Sequence, residues 1–270
     1  MNFRILCDCH MHTSRSFDGS NTAQEMVARA AELKIPVIAL TDHCEINEFY
    51  STGYCSSVPM AWQAAREQQK LQAASSPEVL VGIEIGQPGT NYELAERVLS
   101  AREYDFVLAS VHNLLHTPDF YYLSYTQENA RFLLGHYFDE LLRVVQWGNF
   151  DSLAHLTYPL RYITGEFGIQ VDLAQYGEKI DAILSLLAEK EKALEINTSG
   201  LRQKIGMTLP HLELVRRFRQ LGGKYITVGA DAHCVDDLGT GIAEGIEVAR
   251  QAGFGAVTVY RRRCPQEIRI

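Results

Sequence analysis

The chain has 270 residues, 46% hydrophobic and 21% charged, which suits one domain over 1–270 with a full core. Its formal net charge is -8 and its longest basic run is Arg261-Arg262-Arg263, which weighs against an extended nucleic-acid surface. No apolar run reaches membrane-spanning length, and the start MNFRILCDCH lacks a signal-peptide pattern, so a cytoplasmic protein with no membrane partner is expected.

Short β-branched runs alternate with longer amphipathic stretches. The first predicted strand is Arg4 to Cys9, running into LCDCHMHTS. Alternation puts Asp8, His10 and His12 on one face and Cys7, Cys9 and Met11 on the other, so the cysteines pack while the histidines carry chemistry. All six cysteines are expected to be reduced and structural. A helix over Thr22 to Leu33 follows, opened by a Thr22/Glu25 capping box. The second strand, Val37 to Thr41, leads to the longest irregular stretch, Glu45 to Pro59, of a length that borders active sites.

Further strands are predicted at Val79 to Ile85, Phe106 to Val111, Phe150 to His155, Ala193 to Asn197 and Tyr225 to Ala230, with an eighth at Ala256 to Tyr260. Helical stripes lie between them: Tyr92 to Arg102, Glu128 to Trp147, Ile180 to Leu187, and one opened by Pro210. Strict alternation implies a parallel sheet under helices, and seven or eight units favour a closed barrel. No phosphate-cradling glycine loop follows a strand.

Six of the nine histidines fall at or just past the carboxyl ends of these strands: His10, His12, His43, His112, His155 and His233, joined by Glu84 and Asp231. In a parallel barrel those ends open on one rim, where active sites sit. Imidazole with carboxylate and no thiolate suits Zn²⁺, Fe²⁺ or Mn²⁺, and the ligands outnumber the needs of one tetrahedral ion.

The ordered series D-C-H-M-H-T-S-R-S-F-D-G, L-T-D-H, G-I-E-I-G, S-V-H, A-H-L, E-I-N-T-S-G-L-R and G-A-D-A-H resembles, over nearly the whole chain, the polymerase and histidinol phosphatase (PHP) superfamily, and within it the stand-alone histidinol-phosphate phosphatases. The resemblance implies an α/β fold, a distorted (β/α)7 barrel of the PHP type, with three divalent metal ions. His10, His12, Glu84 and Asp231 would hold one ion, and Glu84 would bridge to a second held by His112 and His155. Asp18, His43 and His233 would hold the third. Asp8 and Asp42 look like groups that orient neighbouring ligands. Seven strands leave the eighth predicted one without a role, at the barrel's margin.

Three divalent ions outweigh the charge of the ionised Asp18, Glu84 and Asp231, so the pocket suits a small-molecule phosphomonoester. The expected chemistry is in-line attack on phosphorus by a metal-activated hydroxide. Arg161 and Arg202, in loops after strands, are the expected phosphate contacts, as the resemblance implies. For the general acid Glu45, Asp42 and His116 stand as alternatives, with Glu45 and the loop tyrosines also able to meet the substrate's amino or imidazole group. The rival readings are a PHP phosphoesterase for nucleotides or nucleic acid, an amidohydrolase, and a non-catalytic metal-binding module. Nothing in the sequence sets the oligomeric state.

Overall fold

Apolar runs buried on both faces form the strands of a parallel sheet, and the computed structural model describes residues 5–71 and 76–270. Arg4, where the first predicted strand begins, lies outside the described residues. The second strand is broken in two, β1 Val37–Leu40 and β2 His43–Glu45, both parallel to β3 Glu78–Gly86. From β3 the sheet runs on through β4 Phe106–Ser110, β5 Ser152–Leu153, β6 Ala193–Asn197 and β7 Ile226–Gly229, each pairing parallel with the next. The segment 7–12 closes the ring. Asp8 N donates to Val37 O and Ala39 N to Asp8 O on one side, while Cys9 N donates to Val228 O and His12 N to Ala232 O on the other. Seven extended segments thus form the barrel, although the first bridges its neighbours only at Asp8 and Met11.

Cys7, Cys9 and Met11 are buried in the core, as the alternation predicts. Helices α1 Ala23–Glu32, α2 Tyr54–Lys70, α3 Tyr92–Ser100, α4 Gln127–Trp147, α5 Gly177–Glu189, α6 Leu212–Gln220 and α7 Ile242–Gln251 connect the strands. The Thr22/Glu25 capping box is present at α1. Helix α2 corrects the expectation of an irregular stretch to Pro59: only 46–53 stays outside helix or strand apart from a short 3-10 turn, and Pro59 sits inside α2. Among the described residues no helix is long and apolar enough to cross a membrane.

The eighth predicted strand, β8 Ala256–Arg261, folds back on β9 Cys264–Arg269 as an antiparallel hairpin outside the ring. It is anchored at the amino ends of the barrel strands. Arg261 pairs with Glu78, at the start of β3, Arg262 N donates to Asp105 just before β4, and Arg263 Nε lies 2.6 Å from Asp151 Oδ2 just before β5. The triple-arginine run is therefore held against carboxylates at the amino ends of the strands, Arg261 and Arg263 by their guanidinium groups and Arg262 by its backbone N–H.

Candidate metal centre and substrate cavity

At the carboxyl end of the strands a cavity of about 1010 Å³ opens, with His43, Glu84, His112, His155, Asp231 and His233 on its wall. Strand register puts them there. His43 lies opposite Glu84 across the β2–β3 ladder, His112 and His155 follow β4 and β5 by two residues, and Asp231 follows β7 by two. His10 and His12 reach the same place from the closing segment, fully buried.

The distances sort these groups around Glu84. Its Oε2 lies 3.3 Å from His10 Nε2 and 3.5 Å from His12 Nε2, while Oε1 lies 3.3 Å from His112 Nε2 and 3.0 Å from His155 Nε2. Asp231 Oδ1 lies 3.4 Å from His12 Nε2 and 3.6 Å from His10 Nε2. Asp18 Oδ2 is 3.2 Å from His233 Nε2, and its Oδ1 is 3.7 Å from His43 Nε2. All nine sequence-predicted metal positions are therefore brought together. Ligand atoms within 4.8 Å of one another form the sets His10/His12/Asp231, Glu84/His112/His155, His12/His43/His233 and His43/Glu45/His112.

These residues fit divalent cations on the chemistry of the set and on its contacts. His10 Nε2 and His12 Nε2 are 3.1 Å apart, and His112 Nε2 and His155 Nε2 are 3.4 Å apart, each pair converging nitrogen to nitrogen. His43 Nδ1 lies 2.9 Å from Glu84 Oε2, yet neither atom makes an aligned hydrogen bond. Buried His43 Nδ1 and Glu84 Oε2, side by side without an aligned hydrogen bond, leave a cation as a partner that would satisfy both. Electrostatics agree. Burial opposes charge on His10, yet Glu195, Glu84 and Asp231 hold its ring well above the ordinary imidazole value; for His43, Glu84 and Asp18 outweigh the same burial. Burial also opposes ionisation of Glu84, but the surrounding imidazoles hold it well below the carboxylate range. The carboxylates demand positive charge, which protons or metal ions can supply.

Two of the positions have strained backbones, His155 at φ 22° and Asp231 at φ 54°. Arg202 supports the second: it donates to the carbonyls of Ala230 and Asp231 and pairs with Asp237. The structure does not bring Arg202 to the cavity wall, contrary to the expected phosphate contact, because its guanidinium faces these backbone oxygens. Arg161 does line the cavity, with Nη2 2.9 Å from Ser199 Oγ and 3.1 Å from Asp231 Oδ2, and its guanidinium lies over the Tyr158 ring.

The three general-acid candidates separate. Asp42 is absent from the wall of the main cavity; it accepts from Thr13 N, Thr13 Oγ1 and Ser16 Oγ, and so fixes the turn that leads to Asp18. Ser16 Oγ in turn accepts from His43 N. His116 is exposed and also absent from the wall. Glu45 lines the cavity, with Oε1 2.9 Å from His112 Nδ1 and Oε2 without a hydrogen-bond partner. Gly86 makes this possible, since a Cβ there would lie 2.0 Å from the Glu45 carboxylate. Asp8 accepts from Ala230 N and Gly239 N, tying down the loop that carries Asp231. Tyr54 lines the cavity, whereas Tyr50 is exposed and does not.

Sequence reasoning missed Glu195, Asn197 and Ser199, on and just after β6. Glu195 Oε1 is 2.6 Å from His10 Nδ1, and Asn197 Nδ2 lies 3.3 Å from Asp231 Oδ2. The available signal was a carboxylate two residues from an amide in the otherwise apolar strand A-L-E-I-N, both on one face.

The PHP domain profile matches residues 8–199. A histidinol-phosphatase of Lactococcus lactis subsp. lactis is 29% identical, over 94% of this chain and 93% of its own. A Thermotoga maritima protein named "Probable histidinol-phosphatase" is 30% identical, over 94% of this chain and 95% of its own. Among solved structures, histidinol phosphate phosphatase from Lactococcus lactis, complexed with zinc, L-histidinol and phosphate, matches with a TM-score of 0.80 at 26% identity, covering 97% of this chain and 99% of that one.

Proposed function

This chain belongs to the PHP domain family, and on that premise we propose that it is a phosphoric monoester hydrolase converting L-histidinol phosphate to L-histidinol and inorganic phosphate in histidine biosynthesis. The observation that carries the reading is Glu84, whose two oxygens divide between two imidazole sets beside a cavity that also presents Arg161. The likeness to a phosphatase solved with L-histidinol and phosphate supports the substrate.

His10, His12, Glu84 and Asp231 would hold one ion, Glu84 with His112 and His155 a second, and Asp18, His43 and His233 a third, with zinc, manganese or iron(II) each compatible with the donors. Ions bound there would supply a lowered pKa for water and positive charge to offset the phosphoryl oxygens. Arg161 orients the phosphate through its guanidinium fork. Water oxygen bonds to phosphorus as the ester P–O bond breaks, and the Glu45 carboxylate, with Oε2 free of other partners, takes up the proton that the water gives up and passes it to the departing histidinol oxygen. Residues 1–270 act as one domain, in the cytoplasm.

The test is phosphate release after loading with Mn²⁺, Zn²⁺ or Fe²⁺, comparing L-histidinol phosphate with nucleoside monophosphates and single-stranded DNA. Preference for histidinol phosphate is expected. Preference for a nucleotide or DNA would move the protein to a different PHP phosphoesterase activity, and bound metal without any turnover would make it a binding module.

A further inference from the structure

The carboxylate of Glu195 lies behind the candidate ligands, outside the cavity wall, and is almost completely buried. Its two oxygens do different things. Oε1 is 2.6 Å from His10 Nδ1, the ring atom opposite the Nε2 that faces Glu84 and Asp231. Oε2 accepts from the His155 backbone N–H at 2.8 Å, at the residue whose φ is 22°. Asn197 Nδ2 also donates to Oε2, at 3.2 Å, and its other contact is Asp231 Oδ2. Asn197 Oδ1 accepts from Ser199, whose Oγ accepts from Arg161. One rail of hydrogen bonds along β6 therefore touches His10, His155, Asp231 and Arg161. Gly229 leaves room for it: a Cβ there would lie 2.3 Å from His10 Cβ and 2.8 Å from Glu195 Oε1.

We propose that Glu195 is a positioning residue that sets two ligand groups in register, fixing the His10 ring through one oxygen and the strained His155 backbone through the other. The inference rests on the metal-dependent reading above. A carboxylate accepts at both oxygens, whereas an amide accepts at one and donates at the other. Glu195→Gln therefore keeps the shape but must set an N–H against either the His10 Nδ1–H or the His155 N–H. Outer-shell partners of metal-ligating histidines fix the ring and its tautomer, and their loss costs about 10–100-fold in metal affinity.

The experiment measures, for the wild type and Glu195→Gln, the metal bound per chain and its apparent affinity by chelator competition, the thermal midpoint of the metal-free protein, and kcat and KM at rising metal concentration. Affinity weaker by about 10–100-fold, with kcat restored by added metal, is the expected result. A merely structural role would instead lower the metal-free midpoint without rescue by metal, and would overturn the proposal. Unchanged affinity in the variant would also overturn it while leaving the proposed activity standing, whereas a wild type that binds no metal would remove both. Should Glu195→Gln not fold, ¹⁵N-histidine spectra of the metal-loaded wild type read the same contact. His10 should show a protonated Nδ1, and an ion on Nδ1 would refute the assignment.

Discussion

Replacing Arg161 by alanine removes a guanidinium that lines the cavity and lies against Asp231. Its Nη2 is held by Ser199 and Asp231, and its Nε is buried without a partner. The guanidinium lies on the cavity wall, where it is the donor group a phosphate oxygen would meet. A hydrogen bond to a charged group contributes about 1.5–3 kcal/mol. With about 1.4 kcal/mol to each factor of ten, Arg161→Ala should raise KM for histidinol phosphate by roughly 10- to 150-fold. Asp231 keeps its Asn197 contact, so metal content should stay intact and kcat should fall less than kcat/KM. Lysine restores the charge without the fork and should rescue only in part. Steady-state phosphate release on the metal-loaded enzyme, with inorganic phosphate as a product inhibitor, reads both constants. If KM and phosphate inhibition in Arg161→Ala both stay within about twofold of wild type at equal metal content, Arg161 does not hold the phosphate.

Arg263→Ala tests the hairpin at the barrel floor. Asp151 is buried but keeps Val107 N–H, and Arg263 is partly exposed, so a loss of about 1–3 kcal/mol is expected. Burial holds the Asp151 carboxyl above its ordinary 3.8, with Arg263 opposing, so the folded protein loses stability as pH rises from 3.8 through the raised value. Without Arg263 that value climbs further and the window widens. Denaturant titrations should therefore show the variant's deficit growing from acid to neutral pH; a constant deficit would discount the ion pair. Gly86→Ala should displace Glu45 from His112 and depress kcat with little change in thermal midpoint, and wild-type kcat in that variant would clear Glu45 of proton transfer. Removing metal with a chelator should abolish phosphate release and lower the thermal midpoint, since ligands that bind only the folded state stabilise it by about 2.7 kcal/mol at a hundred times Kd. A metal-free protein with full activity would end the metal-dependent account.

The barrel and its rim were legible because strands buried on both faces write continuous apolar runs, and because histidines placed at strand ends have one place to go. The resemblance to the PHP superfamily then sorted the candidate ligands, and the geometry around Glu84 places the same groups side by side. Helix α2 was not legible: its buried positions are Tyr54, Val58 and Ala65, too few and too small for a stripe, and Pro59 reads as a break. The first strand was read too regularly, since residues 7–12 bridge two neighbours at single points rather than forming a ladder. Arg202 was named from its loop and from the resemblance, and Asp42 both as an orienting group and as a possible acid; sequence does not say that a guanidinium turns towards Ala230 or that three donors close on a carboxylate. Glu195 escaped because an orienting carboxylate and a packing irregularity look alike until the partner ring is seen.

Ring closure through residues 7–12 has a consequence for biogenesis. His10 and His12 must wait during synthesis until β7 and Ala232 emerge, more than two hundred residues later, before their half of the ion site exists. A nascent chain lacking β7 has neither Asp231 nor His233 and cannot seal the ring. The His10/His12/Asp231 set is therefore completed only in the last stages of folding, and a product truncated before β7 carries Glu84, His112 and His155 without it.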